Sequence, residues 1–313
     1  MTQAADRFPF DFGGRTHYTY AAFARYQSRT MSTDSASLDR LRSQIDRIDD
    51  QLHDLLMQRA GLVEQIASAK APSGIALRPG REAQVLRRLI ARHQGAFPKT
   101  ALVRIWREIM GALVGLQQPF TIAVYQPERG AGYIELARNH FGVVWPQIVH
   151  LTPGHVVRMV ADGQASVGLV PIPGAADAEP WWLALTSDAG NLPRVVARLP
   201  VLAQEPSAGR TDPLQAFVVA CREPEPTGDD RMLIAVETAP DVSRDRLRAA
   251  FTAANLELAA MTATHRSEGV WRHLVEVAGF VAGADPRLAE LVQAKDPVTH
   301  VRVIGGYASQ LPA

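Results

Sequence analysis

A single cysteine, Cys221, in 313 residues excludes an intramolecular disulfide framework and any multi-cysteine metal site. That scarcity fits a reducing compartment, and the cytoplasm is the expected location. No stretch approaches the roughly 18 consecutive apolar residues of a spanning helix, and the first thirty residues hold no apolar signal core, so neither membrane insertion nor secretion is expected. An excess of one charge is also missing: 33 Lys+Arg face 32 Asp+Glu, a formal +1, which gives no whole-chain field for nucleic acid. Nine histidines show no metal-ligand spacing, so no metal site is expected. Phe8, Phe10, Phe12, Tyr18, Tyr20, Phe23 and Tyr26 follow no clear period, and residues 1–33 read as an unstructured extension with Met31 as a candidate start.

What remains is a chain that is 47% hydrophobic and long enough for about two domains. From Leu38 the apolar residues Leu41, Ile45, Ile48, Leu52, Leu55, Leu62, Ile66 and Ala69 alternate by threes and fours, the seam of one helix of about 35 residues. Such a helix reaches roughly 52 Å and needs a partner along its whole seam. Asp34 or Ser35 can cap its start, and Pro72 with Gly74 ends it. Two shorter helices follow, at 79–93 before Gly95 and Pro98, and at 100–118 before Pro119. One long and two short helices make an all-α domain, residues 34–118.

After Pro119 the pattern changes. An apolar run at 120–125, helical stretches at 133–141 and 154–163, and a short strand at 166–171 read as βαβα-like. The later part of this α/β segment is rich in Pro, Ala and Gly, with strand-like runs only at 195–202 and 216–221. A polar linker at 222–230 leads into strand (232–237), helix (243–255), strand (256–264), strand (271–280), helix (285–293) and strand (298–305). That βαββαβ order is ferredoxin-like. The expected boundaries are 119–227 for the α/β lobe and 228–313 for the α+β tail.

The helical seam carries one violation, Arg59 between Leu55 and Leu62. A guanidinium there is costly unless it is paired or meets an anion. Lys70, eleven residues on, returns to within about 20° of the same face, about 16 Å along the axis. Arg42, seventeen residues before Arg59, points about 100° away, toward a different neighbour such as a second chain. Two readings stay open at this point: a polar register device with solvated neighbours, or a cluster of cations for an anionic ligand. Residues 34–118 carry 13 Lys+Arg and 9 Asp+Glu, a local net of +4 that is consistent with the second.

The run SQIDRIDDQLHDLLMQRAGLVEQIASAK at 43–70, RPGRE at 78–82, IWREI at 105–109 and the pair Leu116 and Gln117 resemble the AroQ-class chorismate mutases over residues 38–118. The resemblance implies an intertwined all-α homodimer in which two long helices pair, a substrate, chorismate, and no cofactor. It further implies that Arg59 and, from the partner chain, Arg42 clamp the substrate's carboxylates. Lys70 and Gln117 would donate to the ether oxygen, and Glu82 would accept from the ring hydroxyl with Arg81 beside it. Two positions depart from the family: Arg78 stands where many members have an acidic residue, and Leu113 where many have a serine. Leu113 also continues the stripe Leu102, Ile105, Ile109 and Leu116, whose plain reading is core packing.

Beyond Pro119 the strand FTIAVY (120–125), the turn GAGY (130–133) and ASVGLVPI (165–172) are similar to prephenate dehydratases. The Thr-Arg-Phe signature of that family is replaced by TDPLQ (211–215), and the roughly 45 residues in between are too few for its second lobe, so dehydratase activity is not expected. Residues 230–313 resemble ACT domains, ending in VIGGY (303–307), yet APDVSR (239–244) and MTATH (261–265) stand where amino-acid-binding signatures are usual. The expected whole is a cytoplasmic homodimeric chorismate mutase with a degenerate dehydratase-like lobe and an ACT-like tail. The alternatives are a bifunctional mutase/dehydratase and a non-catalytic protein that binds an aromatic metabolite. Trp181 and Trp182 read as packing, and Cys221 as a buried thiol.

Overall fold

A computed structural model describes residues 35–69, 76–128, 132–174, 180–187, 192–203, 214–267, 269–293 and 297–312. The 1–33 extension, Met31, Lys70, Gly130, Ala131 and Thr211 to Pro213 of the TDPLQ stretch lie outside them. The chain resolves into two compact units, 1–59 and 60–313.

In the first unit the described residues belong to helix α1 (Ser35–Ala69), 35 residues long as the seam predicts. Its apolar residues Leu38, Leu41, Ile45, Ile48, Leu52 and Leu55 remain between 37% and 60% exposed. A heptad seam that satisfies helix periodicity yet stays this exposed among the described residues has the pattern of an association face.

The second unit takes in residues 60–69 of α1 and continues with helices α2 (Pro79–Arg92) and α3 (Lys99–Val114). Pro79 opens α2 where its missing N–H costs nothing, Glu82 lies in the positive first turn and Arg92 in the negative last one. Gly95, at φ +87°, turns the chain out of α2. Helix α3 stops at Val114 with Gly115 as its cap, four residues earlier than the sequence pattern predicts, because Gly115 breaks the helix before Pro119 can.

Three parallel strands follow, β1 (Ile122–Tyr125), β2 (Gln147–His150) and β3 (Val167–Pro171), joined by α4 (Tyr133–Phe141) and α5 (Pro153–Ala161). Strand β2 is absent from the sequence reading. It is four residues at the sheet edge, with Ile148 and Val149 partly exposed, so it lacks the apolar alternation that marks a strand. A 3-10 turn at Trp181–Thr186 buries both tryptophans, as the packing reading requires. Strands β4 (Arg194–Leu199) and β5 (Ala216–Ala220) run antiparallel to each other, and β5 pairs antiparallel with β3. The tail supplies β6 (Asp230–Thr238), α6 (Arg244–Ala253), β7 (Leu258–Ser267), β8 (Val270–Ala278), α7 (Pro286–Gln293) and β9 (Val298–Ala308). Its strand order β9-β6-β8-β7 with antiparallel neighbours is the ferredoxin-like arrangement.

Lobe and tail share one nine-stranded sheet, order β2-β1-β3-β5-β4-β9-β6-β8-β7. The junction is the parallel contact of β4 with β9 at Val195 and Gly305, where a Cβ on Gly305 would overlap the Val195 backbone. One core runs beneath it, joining Trp181, Trp182 and Phe217 of the lobe to Leu233, Leu274, Ile304 and Tyr307 of the tail. Burial of each such large side chain contributes about 1.5–3 kcal/mol. The short helices join this unit through their own apolar faces: Leu86, Val103 and Met110 pack with Leu202 and Leu311, and Val114 with Phe120.

The segment 222–230 is more than the polar linker its composition suggests. The Arg222 guanidinium donates to the Leu77 carbonyl at 3.1 Å and to Glu225 at 2.6 Å. Arg87 on α2 donates to the Thr227 hydroxyl at 2.8 Å and to the Asp229 carbonyl at 2.6 Å. Asp230 closes the segment by accepting from the Thr227 N–H at 2.8 Å and its hydroxyl at 2.6 Å.

Candidate active site

The described residues singled out from sequence lie on α1, on α2 and its N-cap, and on α3 and the turn after it. On α1, Arg42 is exposed and pairs with Asp39 one turn earlier at 3.2 Å, while Arg59 is half-buried. Lys70 lies outside the described residues.

On α2, Arg78 is the N-cap position and offers no side-chain cap. Its guanidinium reaches across the chain to both Glu225 oxygens, at 3.0 and 3.1 Å. Burial alone would push the Glu225 carboxyl up, but the hydrogen bonds from Arg222 and Arg78 outweigh it and hold the group below its usual range. Arg81 is exposed and Glu82 is half-buried. Among the described residues, Arg81 makes no hydrogen bond with Glu82.

The partner of Glu82 is Arg107, on α3. Arg107 Nη1 donates to Glu82 Oε2 at 2.5 Å, and Arg107 Nε to the His140 carbonyl at 2.7 Å. With side chains only 3% and 12% exposed, this pair is largely out of water. His140 is itself buried, and its imidazole is held well below its ordinary value, first by burial and then by the Arg107 charge. Sequence reasoning passed over Arg107. The signal was present: Val103, Arg107, Met110 and Val114 keep the 4-3-4 spacing of a buried face, so Arg107 interrupts that face as Arg59 interrupts the seam of α1.

Helix α3 therefore buries a face other than the stripe that contains Leu113. Ile105 and Leu116 of that stripe are 45% and 46% exposed, and Leu102, Ile109 and Leu113 are half-buried. The expected core role of the stripe is not seen in the single chain. Gln117 lies in the turn after α3, where its N–H donates to the Val114 carbonyl at 3.1 Å. Close approach of α3 to α4 depends on Gly111, where a Cβ would overlap the Phe141 carbonyl, and on Gly115, which lies against the Trp145 ring.

Taken singly, these side chains supply guanidinium groups, an amide and a carboxylate, groups that can bind a polar anion. No group of His, Cys, Asp or Glu among the described residues could hold a metal ion, and none of their helices is long and apolar enough to cross a membrane. Cys221 is half-buried rather than buried; its thiol lies 3.4 Å from the Val160 carbonyl, and burial raises its pKa.

Comparison with known proteins bears on the helical part first. Residues 41–118 match the family model described as chorismate mutase type II. A bifunctional chorismate mutase/prephenate dehydratase of Stutzerimonas stutzeri is 30% identical over 146 residues, 45% of this chain and 40% of the relative. The protein of the same description from Pseudomonas aeruginosa is 31% identical over 145 residues, 44% of this chain and 40% of the relative. The matched part is thus well under half of these relatives' length. A solved prephenate dehydratase from Streptococcus mutans aligns over 62% of this chain and 100% of its own, with TM-score 0.45 and 17% identity. The part of the chain that is similar to chorismate mutase type II, residues 41–118, precedes its α/β lobe and ferredoxin-like tail.

Proposed function

We propose that this protein is a chorismate mutase, converting chorismate to prephenate by pericyclic rearrangement in the synthesis of phenylalanine and tyrosine. The observation that carries the reading is the family match over residues 41–118, which contains Arg42, Arg59, Lys70, Arg81, Glu82 and Gln117 in one stretch.

The reaction breaks a C–O bond and forms a C–C bond in one step, with no nucleophile, proton transfer or cofactor. An enzyme accelerates it by holding a compact chair-like conformer and by stabilising negative charge that grows on the ether oxygen. In our reading Arg59 and the partner chain's Arg42 fix the two carboxylates, bidentate geometry suiting the guanidinium. Lys70 and Gln117 donate to the ether oxygen, and Glu82 accepts from the ring hydroxyl. One preorganised donor contributes about 3 kcal/mol in the transition state, so two donors with orientation reach the roughly 8 kcal/mol of a million-fold acceleration.

The homodimer belongs to the same proposal. Its support is the exposed seam of α1, which a second copy of the same helix would cover. Expected boundaries at 34–118, 119–227 and 228–313, an ACT-like character for the tail, and a cytoplasmic location remain part of this reading.

One other reading has a specific observation in its favour. Leu113 cannot donate to a carboxylate, and Arg78 is engaged by Glu225 instead of offering an acid, which suits a protein that binds an aromatic metabolite without turning it over. Loss of chorismate absorbance with purified protein, followed by product analysis, separates the possibilities. Prephenate alone supports the mutase, phenylpyruvate in excess of spontaneous decay adds the dehydratase step, and unchanged chorismate favours the binding protein.

A further inference from the structure

Glu82 is turned inward on α2. Leu86, four residues later and about 40° away around the helix, is 1% exposed, whereas Arg81, about 100° from Glu82, faces solvent. Arg107 takes one oxygen of Glu82, Oε2, and is itself fixed at its other end by the His140 carbonyl. Among the described residues, Oε1 has no hydrogen-bond partner and is the oxygen left to accept.

A guanidinium tied at both ends leaves the carboxylate little rotational freedom. A flexible glutamate would have to be ordered when substrate binds, whereas this one is ordered beforehand. We propose that Arg107 is a positioning residue that orients Glu82 toward the substrate's ring hydroxyl, with its anchor on the His140 carbonyl making helix α4 of the α/β lobe part of the support for that acceptor. The proposal rests on the chorismate mutase reading. It also gives the lobe a role in the rearrangement that needs no chemistry of the lobe's own.

The test is a double-mutant cycle on kcat/KM for chorismate with wild type, Arg107→Lys, Glu82→Gln and the double variant. Lysine keeps the charge and loses the two-ended fork. Arg107→Gln, an uncharged donor, serves as a second variant, and thermal unfolding identifies the variants that fold. The expected result is a loss of about tenfold or more for Arg107→Lys in the wild-type background and under about twofold when Glu82 is already Gln. Equal fold-losses in both backgrounds, or an Arg107→Lys enzyme with wild-type kcat/KM, would overturn the positioning role while leaving the mutase reading intact. A wild-type protein that leaves chorismate unchanged would remove the mutase reading and this inference with it.

Discussion

Arg78 and Glu225 lie 147 positions apart in the sequence and meet at 3.0 Å, with Arg222 on the same carboxylate at 2.6 Å. The start of α2, where the resemblance leads one to expect an acid, therefore has a cation whose acid comes from the segment before β6. Glu225→Gln removes the anion shared by two guanidinium groups. Because Arg78 and Glu225 are 48% and 30% exposed, the expected loss is at most about 1 kcal/mol at neutral pH. The Glu225 carboxyl is held below its ordinary value, so its contribution is present above that value and lost as pH falls through the folded one. Urea unfolding at neutral pH and near pH 3.5 should show the wild-type advantage over Glu225→Gln shrinking on acidification.

Two glycines on the helices should respond to alanine with opposite signs. Gly61 in α1 has nothing within 4 Å of an added Cβ, so Gly61→Ala gains about 0.5–1 kcal/mol of helix propensity. Gly111 in α3 meets the Phe141 carbonyl, a backbone atom that cannot step aside, and Gly111→Ala should cost about 1–3 kcal/mol despite the same gain. Chemical denaturation of both variants measures the difference directly.

His140 predicts a second pH dependence of opposite chemical origin. Its imidazole is buried, its Nε2 has no hydrogen-bond partner, and the Arg107 charge adds to the penalty for protonation. The folded state keeps it neutral while the unfolded chain takes up a proton near pH 6.5. Stability from this group is full above that value and is lost as pH falls from it toward the lower folded value. Between about pH 6.5 and 5, His140→Leu should therefore show a shallower decline in unfolding free energy than wild type. Parallel slopes would mean that His140 takes up its proton in the folded protein over the same pH range as in the unfolded chain.

A site assembled from two chains has an arithmetic signature. In a mixed dimer of Arg42→Ala and Arg59→Ala chains, one of the two sites carries neither substitution and the other carries both. Random reassortment of the two inactive proteins should thus restore about one quarter of wild-type activity per chain. A mixture as inactive as its components would show that Arg42 does not act in trans.

The elements most legible in sequence were those with strong periodicity. The long helix, α4 and the βαββαβ tail follow directly from apolar spacing and breaker residues, since a helix or strand that buries one face must repeat at 3.6 or 2 residues. Strand β2 was hidden because an edge strand of four residues buries too little to impose a pattern. The shared sheet was hidden for another reason: the pairing of β4 with β9 at Val195 and Gly305 is tertiary, and no local signal in either strand announces it. Among the site residues, Arg42, Arg59, Arg78, Arg81, Glu82, Leu113 and Gln117 could be named from spacing and resemblance. Their partners could not. Glu225 is distant in sequence from Arg78, and Arg107 looked like an ordinary helix charge until its place between Val103 and Met110 on a buried face gave it meaning.

The central claim is that the cation set on the helical segment turns over chorismate. Chorismate consumption by purified wild type and by Arg59→Ala, measured side by side by absorbance, tests it most directly. Wild type should yield prephenate, and Arg59→Ala, with its fold retained, should turn over at least about a thousandfold more slowly. A wild-type protein that leaves chorismate untouched, or an Arg59→Ala variant with undiminished turnover, would contradict it.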